Sequence, residues 1–237
     1  MRRVIFTLFF FSSLYSSGQS LDTTGNFLLK VSDSISNLYF TSQKESLPVY
    51  SGRVFYPEML TLGHAFVFTD DWQKGTVCYD GICYHNISFK YDVYHQELVV
   101  LTPKIASIRL ISERIQRFGF GDSTFFRLSP DKDHVLKTGF YRQLESGSIT
   151  ILVHYQKIIQ EKIVQVTLER SFISLNSYYA LKEGKYYPIN SQKSLLSLFG
   201  DRRQAVTRHL KQQKVKYKHD KEKAIVLAAK FYNQSHK

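Results

Sequence analysis

Gly75-Thr-Val-Cys-Tyr-Asp-Gly-Ile-Cys-Tyr84 decides the fold class of this 237-residue chain. Asp80-Gly81 is the strong signal within it. A two-residue hairpin loop of type I′ needs positive φ at both central positions, which Asp tolerates and Gly takes freely. With Asp80 and Gly81 as the loop, Tyr79 pairs with Ile82 and Cys78 faces Cys83. The pair beside such a loop is hydrogen-bonded. The cysteines then form the next, non-hydrogen-bonded pair, with Cα atoms about 4.5 Å apart, at the short edge of the range a disulfide accepts. A Cys78–Cys83 disulfide is expected, and it would pin a hairpin rather than hold the fold. A reduced pair and a metal pair are the alternatives. The metal alternative is the weaker one, because His85 on the same face brings the ligands only to three where zinc takes four.

Outward from this hairpin the pattern stays strand-like from about residue 48 to residue 190. Short β-rich runs are expected at Val54–Tyr56, Ala65–Thr69, Thr76–Tyr79, Ile82–Tyr91, Glu97–Thr102, Ile105–Ile111 and Arg114–Phe120. More follow at Thr124–Leu128, Gly139–Leu144, Ile149–Tyr155, Gln165–Leu168 and Tyr178–Tyr187. Turn signals such as Gly121-Asp122, Ser146-Gly147 and Glu183-Gly184 separate them. Aromatic content of 15% suits strands. Many short strands without βα alternation predict a mainly β (α+β) fold, an antiparallel meander sandwich or barrel-like sheet. An outer-membrane barrel is disfavoured, because Lys, Arg and Glu interrupt most runs where such strands need an unbroken apolar face.

The two ends differ from this body. Arg2 and Arg3, the apolar Val4–Phe11, and Ser16 and Gly18 before a cut at Gly18/Gln19 read as a signal peptide over residues 1–18. The apolar core is far short of the roughly 20 residues that span a bilayer. Residues 19–47 form a polar N-terminal segment with a short helix marked by Phe27, Val31, Ile35 and Leu38. Residues 191–237 form a basic helical region, with helices expected at Ser194–Leu198, at Arg202–Gln212 with Asp201 at its start, and at Lys221–Tyr232 with Asp220 as cap. These helices are expected to dock on the β body.

The net charge is +12, and it is concentrated at the C-terminus. Residues 201–237 hold 11 Lys and Arg against 3 Asp and Glu, whereas residues 4–200 hold 19 against 17. In an exported protein such a tail faces envelope anions, head groups or acidic polysaccharide, rather than nucleic acid. A solvated helix face is the simpler explanation of the same charge.

Catalytic signatures are lacking in the sequence: no Gly-x-Ser-x-Gly, no His-Glu-x-x-His and no phosphate-binding Gly-rich loop. No catalytic residue, metal site or cofactor is assigned. The stretches Tyr50–Arg53, Gly63–Phe66, Asp70–Trp72 and Lys90–Asp92 are dense in polar and aromatic groups. They suggest a ligand site built from Arg53, His64, Asp71, Trp72, Tyr91 and Asp92, with Trp72 as a stacking platform. Turn, core and ion-pair roles explain the same residues without a ligand.

Tyr50–Phe55, Gly63–Phe66, Trp72–Gly81, Phe89–Asp92 and a terminal helix ending in Phe231-Tyr232-Asn233 resemble a family of uncharacterised exported proteins of Bacteroidota-type bacteria. The resemblance covers most of the mature chain. It implies a periplasmic, cell-surface or secreted location, and supplies no activity. The expected function is that of a non-enzymatic β protein that binds a ligand or partner. A hydrolase of envelope polymers and a carrier of lipophilic small molecules are the alternatives.

Overall fold

The computed structural model describes residues 47–234. The expected signal peptide, the expected N-terminal helix and the final three residues lie outside them. An eleven-stranded antiparallel sheet dominates. Its members are β1 (Arg53–Val54), β2 (Gln73–Tyr79), β3 (Ile82–Asp92), β4 (Glu97–Leu101), β5 (Ser107–Arg109), β6 (Ile115–Phe120), β7 (Ser123–Leu128), β8 (Gly139–Glu145), β9 (Ile149–His154), β12 (Ser177–Lys182) and β13 (Lys185–Pro188). The spatial order is β1-β5-β4-β3-β2-β6-β7-β8-β9-β12-β13. Most neighbours are thus joined by hairpins. A separate two-stranded hairpin, β10 (Lys157–Val164) and β11 (Thr167–Ser174), leaves the sheet between β9 and β12.

The Asp80-Gly81 loop forms with both residues at positive φ, 53° and 81°. Tyr79 pairs with Ile82 and Cys78 with Cys83. The cysteine sulfurs lie at disulfide distance, with Cα atoms 3.9 Å apart. Arg114 clamps the loop through an ion pair with Asp80.

The sheet rolls tightly without closing into a barrel. Four strand steps separate β3 from β8, roughly 19 Å in a flat sheet. Yet the rings of Tyr91 and Phe140, on those two strands, are 5.7 Å apart. Phe89, Phe118 and Phe125 complete the packed aromatic core inside the roll. At one end the roll is laced by Lys157 N donating to Val93 O and by Gln96 Nε2 donating to Tyr155 O. Native twist makes such coiling the default for a long antiparallel sheet.

Three helices follow: α1 (Gln192–Ser197), α2 (Arg203–Gln212) and α3 (Lys221–Gln234). Ser191 and Ser194 cap α1 reciprocally. Ala224, Ile225, Ala228, Ala229 and Tyr232 of α3 are buried, and α3 lies against β8 and β9. The small alanines let the helix approach the sheet closely. Stacking of His209 on Phe231, at 4.4 Å between rings, joins α2 to α3. No described helix is long and apolar enough to cross a membrane.

Several sequence expectations are corrected. Residues 65–69 form no strand. Phe68 sits at φ 58°, which breaks an extended run, and only Phe66 makes an isolated bridge to Asp92. Gln165 is in a turn, with Gln165 and Val166 both at positive φ, and the strand before it, β10, was not anticipated. Tyr178–Tyr187 is divided into two strands at the Glu183-Gly184 turn that the sequence marks. Asp201 lies in a short 3-10 turn, and Arg202 occupies the N-cap of α2 without a side-chain bond.

One buried group gives the fold a pH dependence. His154 is 4% exposed, stacks on Tyr141, and holds Phe140 O at 3.0 Å from Nδ1. Burial holds its pKa below the ordinary value, against the opposing pull of the Phe140 carbonyl. The unfolded chain takes up this proton near pH 6.5 while the folded chain resists it. Stability is therefore fully present above that pH and is lost as pH falls below it. Between about pH 7.5 and about pH 5.5, His154→Gln should therefore lose less stability than the wild type in urea unfolding, and an equal loss in both would remove His154 as the source.

Candidate functional site

Register aligns a row of side chains across four strands. Lys90 on β3 is opposite Val99 on β4, Val99 is opposite Arg109 on β5, and Arg109 is opposite Arg53 on β1. Residues two apart in a strand share a face, so this row points away from Phe89, Tyr91, Leu98 and Ile108 in the core. Trp72, just ahead of β2, extends the row beside Lys90. Residues of the segment 55–70 and Phe172 of β11 line a cleft at its Lys90 end, and a second cleft opens at its Arg53–Arg109 end.

The first cleft has a volume of about 330 Å³. Phe55, Phe66, Trp72 and Phe172 give it aromatic walls, and His64, Asp70 and Lys90 give it polar groups. Lys90 Nζ sits 4.8 Å from the Phe66 ring centre and 4.9 Å from that of Trp72. It also donates to Asp70 Oδ1 at 2.7 Å. The Lys90 side chain is 13% exposed, so desolvation strengthens both cation–π contacts. Lys157 supports the cleft floor by donating to His64 O at 2.7 Å and Phe66 O at 2.8 Å. Burial lowers the pKa of Lys157. His64 is also lowered, by burial and by the Lys157 charge.

The second cleft, of about 480 Å³, is polar. Arg53, Arg109, Arg127, Glu97, Glu113 and His95 line it. Arg109 Nη1 donates to Glu97 at 3.3 Å, and Arg127 Nη2 lies 3.5 Å from Glu113. His95 is held from behind by Asp92, whose Oδ2 accepts from Nδ1 at 2.9 Å. Its Nε2 lies 3.4 Å from Glu58, a residue that lines the first cleft. Thus the Glu58–His95 contact stands in the wall between the two.

A third cleft, of about 330 Å³, follows the seam with α3. There the Glu222 carboxylate accepts from the hydroxyls of Tyr155 and Tyr178 at 3.1–3.2 Å. Burial and the Glu222 charge push the Tyr155 phenol up to about 12, and Tyr178 is raised for the same reasons. This network docks α3 on the sheet.

Of the six residues read as a ligand site, the structure brings His64 and Trp72 together in the first cleft. Arg53 lies in the second. Asp71 is spent in an exposed turn, accepting from the Thr69 hydroxyl at 2.6 Å. Tyr91 belongs to the core, 1% exposed, with its hydroxyl donating to Gln96. Asp92 is fully buried, and Oδ1 accepts from the backbone N–H groups of Tyr94 and His95. Lys90, Asp70 and Phe66 lay in the stretches singled out in the sequence without being named among the six, and Phe55 and Phe172 were missed. Strand alternation around Tyr91 could have shown that Lys90 faces the other way. Phe172 lies 100 positions from Trp72, and no local pattern announces it.

Comparison of the chain with protein-family models, with curated proteins and with solved structures gives no match.

Proposed function

We propose that this chain is an exported, non-enzymatic binding protein of the cell envelope, and that its β body takes a saccharide-like ligand in the aromatic cleft at Trp72. The observation that carries this reading is the pairing of aromatic faces with polar groups that already satisfy one another. Lys90 is neutralised by Asp70, and Lys157 is spent on two carbonyls. What the cleft offers a ligand is therefore flat apolar surface with a polar rim, the chemistry that suits the apolar face and hydroxyl edge of a sugar ring. Export is supported by the charged, apolar and small-residue order of residues 1–18, and by a cysteine pair at disulfide distance. The C-terminal basic region supplies a second contact. Arg203, Arg208 and Lys211 of α2 line an open groove of about 590 Å³ suited to anionic envelope polymer or head groups.

Trp72 is the only tryptophan in the chain, so its emission reports on this cleft directly. Titration with neutral oligosaccharides cut from bacterial envelope polysaccharide should give a saturable change. Phe172→Ala should weaken it about tenfold, about 1.4 kcal/mol. Emission that stays unchanged across the series would sink the proposal.

A further inference from the structure

We infer that the arginine cleft beside the aromatic one is a binding site for an oxyanion, a carboxylate or phosphate group borne by a small ligand. The inference does not depend on what fills the aromatic cleft. Arg53 and Arg109 stand directly opposite each other across β1 and β5. Side chains so placed have Cβ atoms about 4.5–5.5 Å apart, and like charges there repel. The carboxylates nearby do not cancel this. Glu97 meets Arg109 through a single 3.3 Å contact, and Arg109 Nε is buried without a hydrogen-bond partner among the described residues. Glu113, the partner of Arg127, is 73% exposed and 3.5 Å away. Among the described residues no carboxylate lies within 4.0 Å of the Arg53 guanidinium.

Three guanidinium groups and two carboxylates therefore line one 480 Å³ cleft, with donors left over. A guanidinium is a planar fork whose N–H pairs match the two oxygens of a carboxylate or phosphate. An oxyanion between Arg53 and Arg109 would turn a repulsive cross-strand pair into two charge-assisted contacts and give Arg109 Nε an acceptor. Glu97 and Glu113 then act as props that aim Arg109 and Arg127, and the Asp92–His95–Glu58 chain fixes the wall.

The test uses the full mature chain. Thermal unfolding in sodium phosphate and in sodium chloride at equal ionic strength should differ, with phosphate raising the midpoint by about 3 °C or more. Arg53→Gln should abolish that rise, yet begin in chloride from a midpoint no lower than the wild type, because the like-charge pair is gone. Arg53 is exposed on an edge strand, so this variant should fold. An equal phosphate effect in wild type and Arg53→Gln would overturn the inference, as would no effect in the wild type. Calorimetric titration with glucuronate, glucose 1-phosphate and glucose identifies the anion. Binding of either acid but not of glucose, weakened about tenfold in Arg53→Gln, supports the site and names its group. Glucose binding as tightly as the acids and weakened equally by Arg53→Gln would overturn it, because neutral sugar held at the aromatic cleft does not depend on Arg53. Trp72 emission reads the aromatic cleft separately, so failure of one site is distinguishable from failure of the other.

Discussion

Asp92→Ala should cost about 3–4 kcal/mol of folding stability, the larger of the two strongest effects expected. The carboxylate is fully buried at the end of β3 and makes three bonds of 2.9 Å, from Tyr94 N, His95 N and His95 Nδ1. It closes the turn into β4. Truncation leaves two backbone donors without the acceptor that holds the turn, and an unpaired donor costs more than the bond it lost was worth. The loss also frees the imidazole that contacts Glu58. For a chain of this size the midpoint should fall by about 10 °C. Asp92→Asn keeps an acceptor for the two N–H groups and should cost about half as much. Urea unfolding of both variants decides: a loss below about 1 kcal/mol for Asp92→Ala would show that the turn is held by β3–β4 pairing alone.

This role marks the limit of what could be read in the sequence. The Asp80-Gly81 hairpin was fully legible, register included, because positive φ at two successive positions is a local demand that few residue pairs meet. The sheet followed, because β-branched and aromatic runs between turns have few other uses. The hairpin of β10 and β11 was hidden for the opposite reason. Its tip is Gln165-Val166, and its strands expose residues on both faces, so neither turn chemistry nor alternation betrays it. At the site, residue type was a fair guide to surroundings but not to side. Trp72 and His64 line the same cleft. Tyr91 and Asp92, chosen for their chemistry, are instead a core ring and a turn clamp. The Arg53–Arg109 pairing depends on which strand β1 joins, and β1 joins β5, more than fifty residues away in sequence.

Asn233 carries the second large effect, because its side chain fastens the last helix to the sheet. Its Oδ1 accepts from Ile149 N at 2.9 Å. Its Nδ2 donates to Ile149 O at 2.9 Å and to Ser146 O at 3.3 Å. The amide thus acts as a one-residue strand, meeting both backbone groups at the start of β9. A primary amide carries its acceptor and its donor on separate atoms, matched here to the N–H and C=O of Ile149. Asn233→Ala should cost about 3 kcal/mol, since Ile149 N is left buried and unpaired. Asn233→Asp is the sharper probe. It keeps the shape and the acceptor, but turns the donor into an oxygen facing two carbonyls, so it should cost at least as much as alanine. A wild-type stability for Asn233→Asp would refute the donor role. Gly147 supplies an independent check. At φ 155°, a Cβ there would sit 2.6 Å from Asn233 Cγ. Gly147→Ala should therefore destabilise the wild type more than it destabilises Asn233→Ala. The two substitutions should couple by about 1 kcal/mol in a double-mutant cycle. Additive costs would mean that the turn at Gly147 resists alanine through its backbone alone.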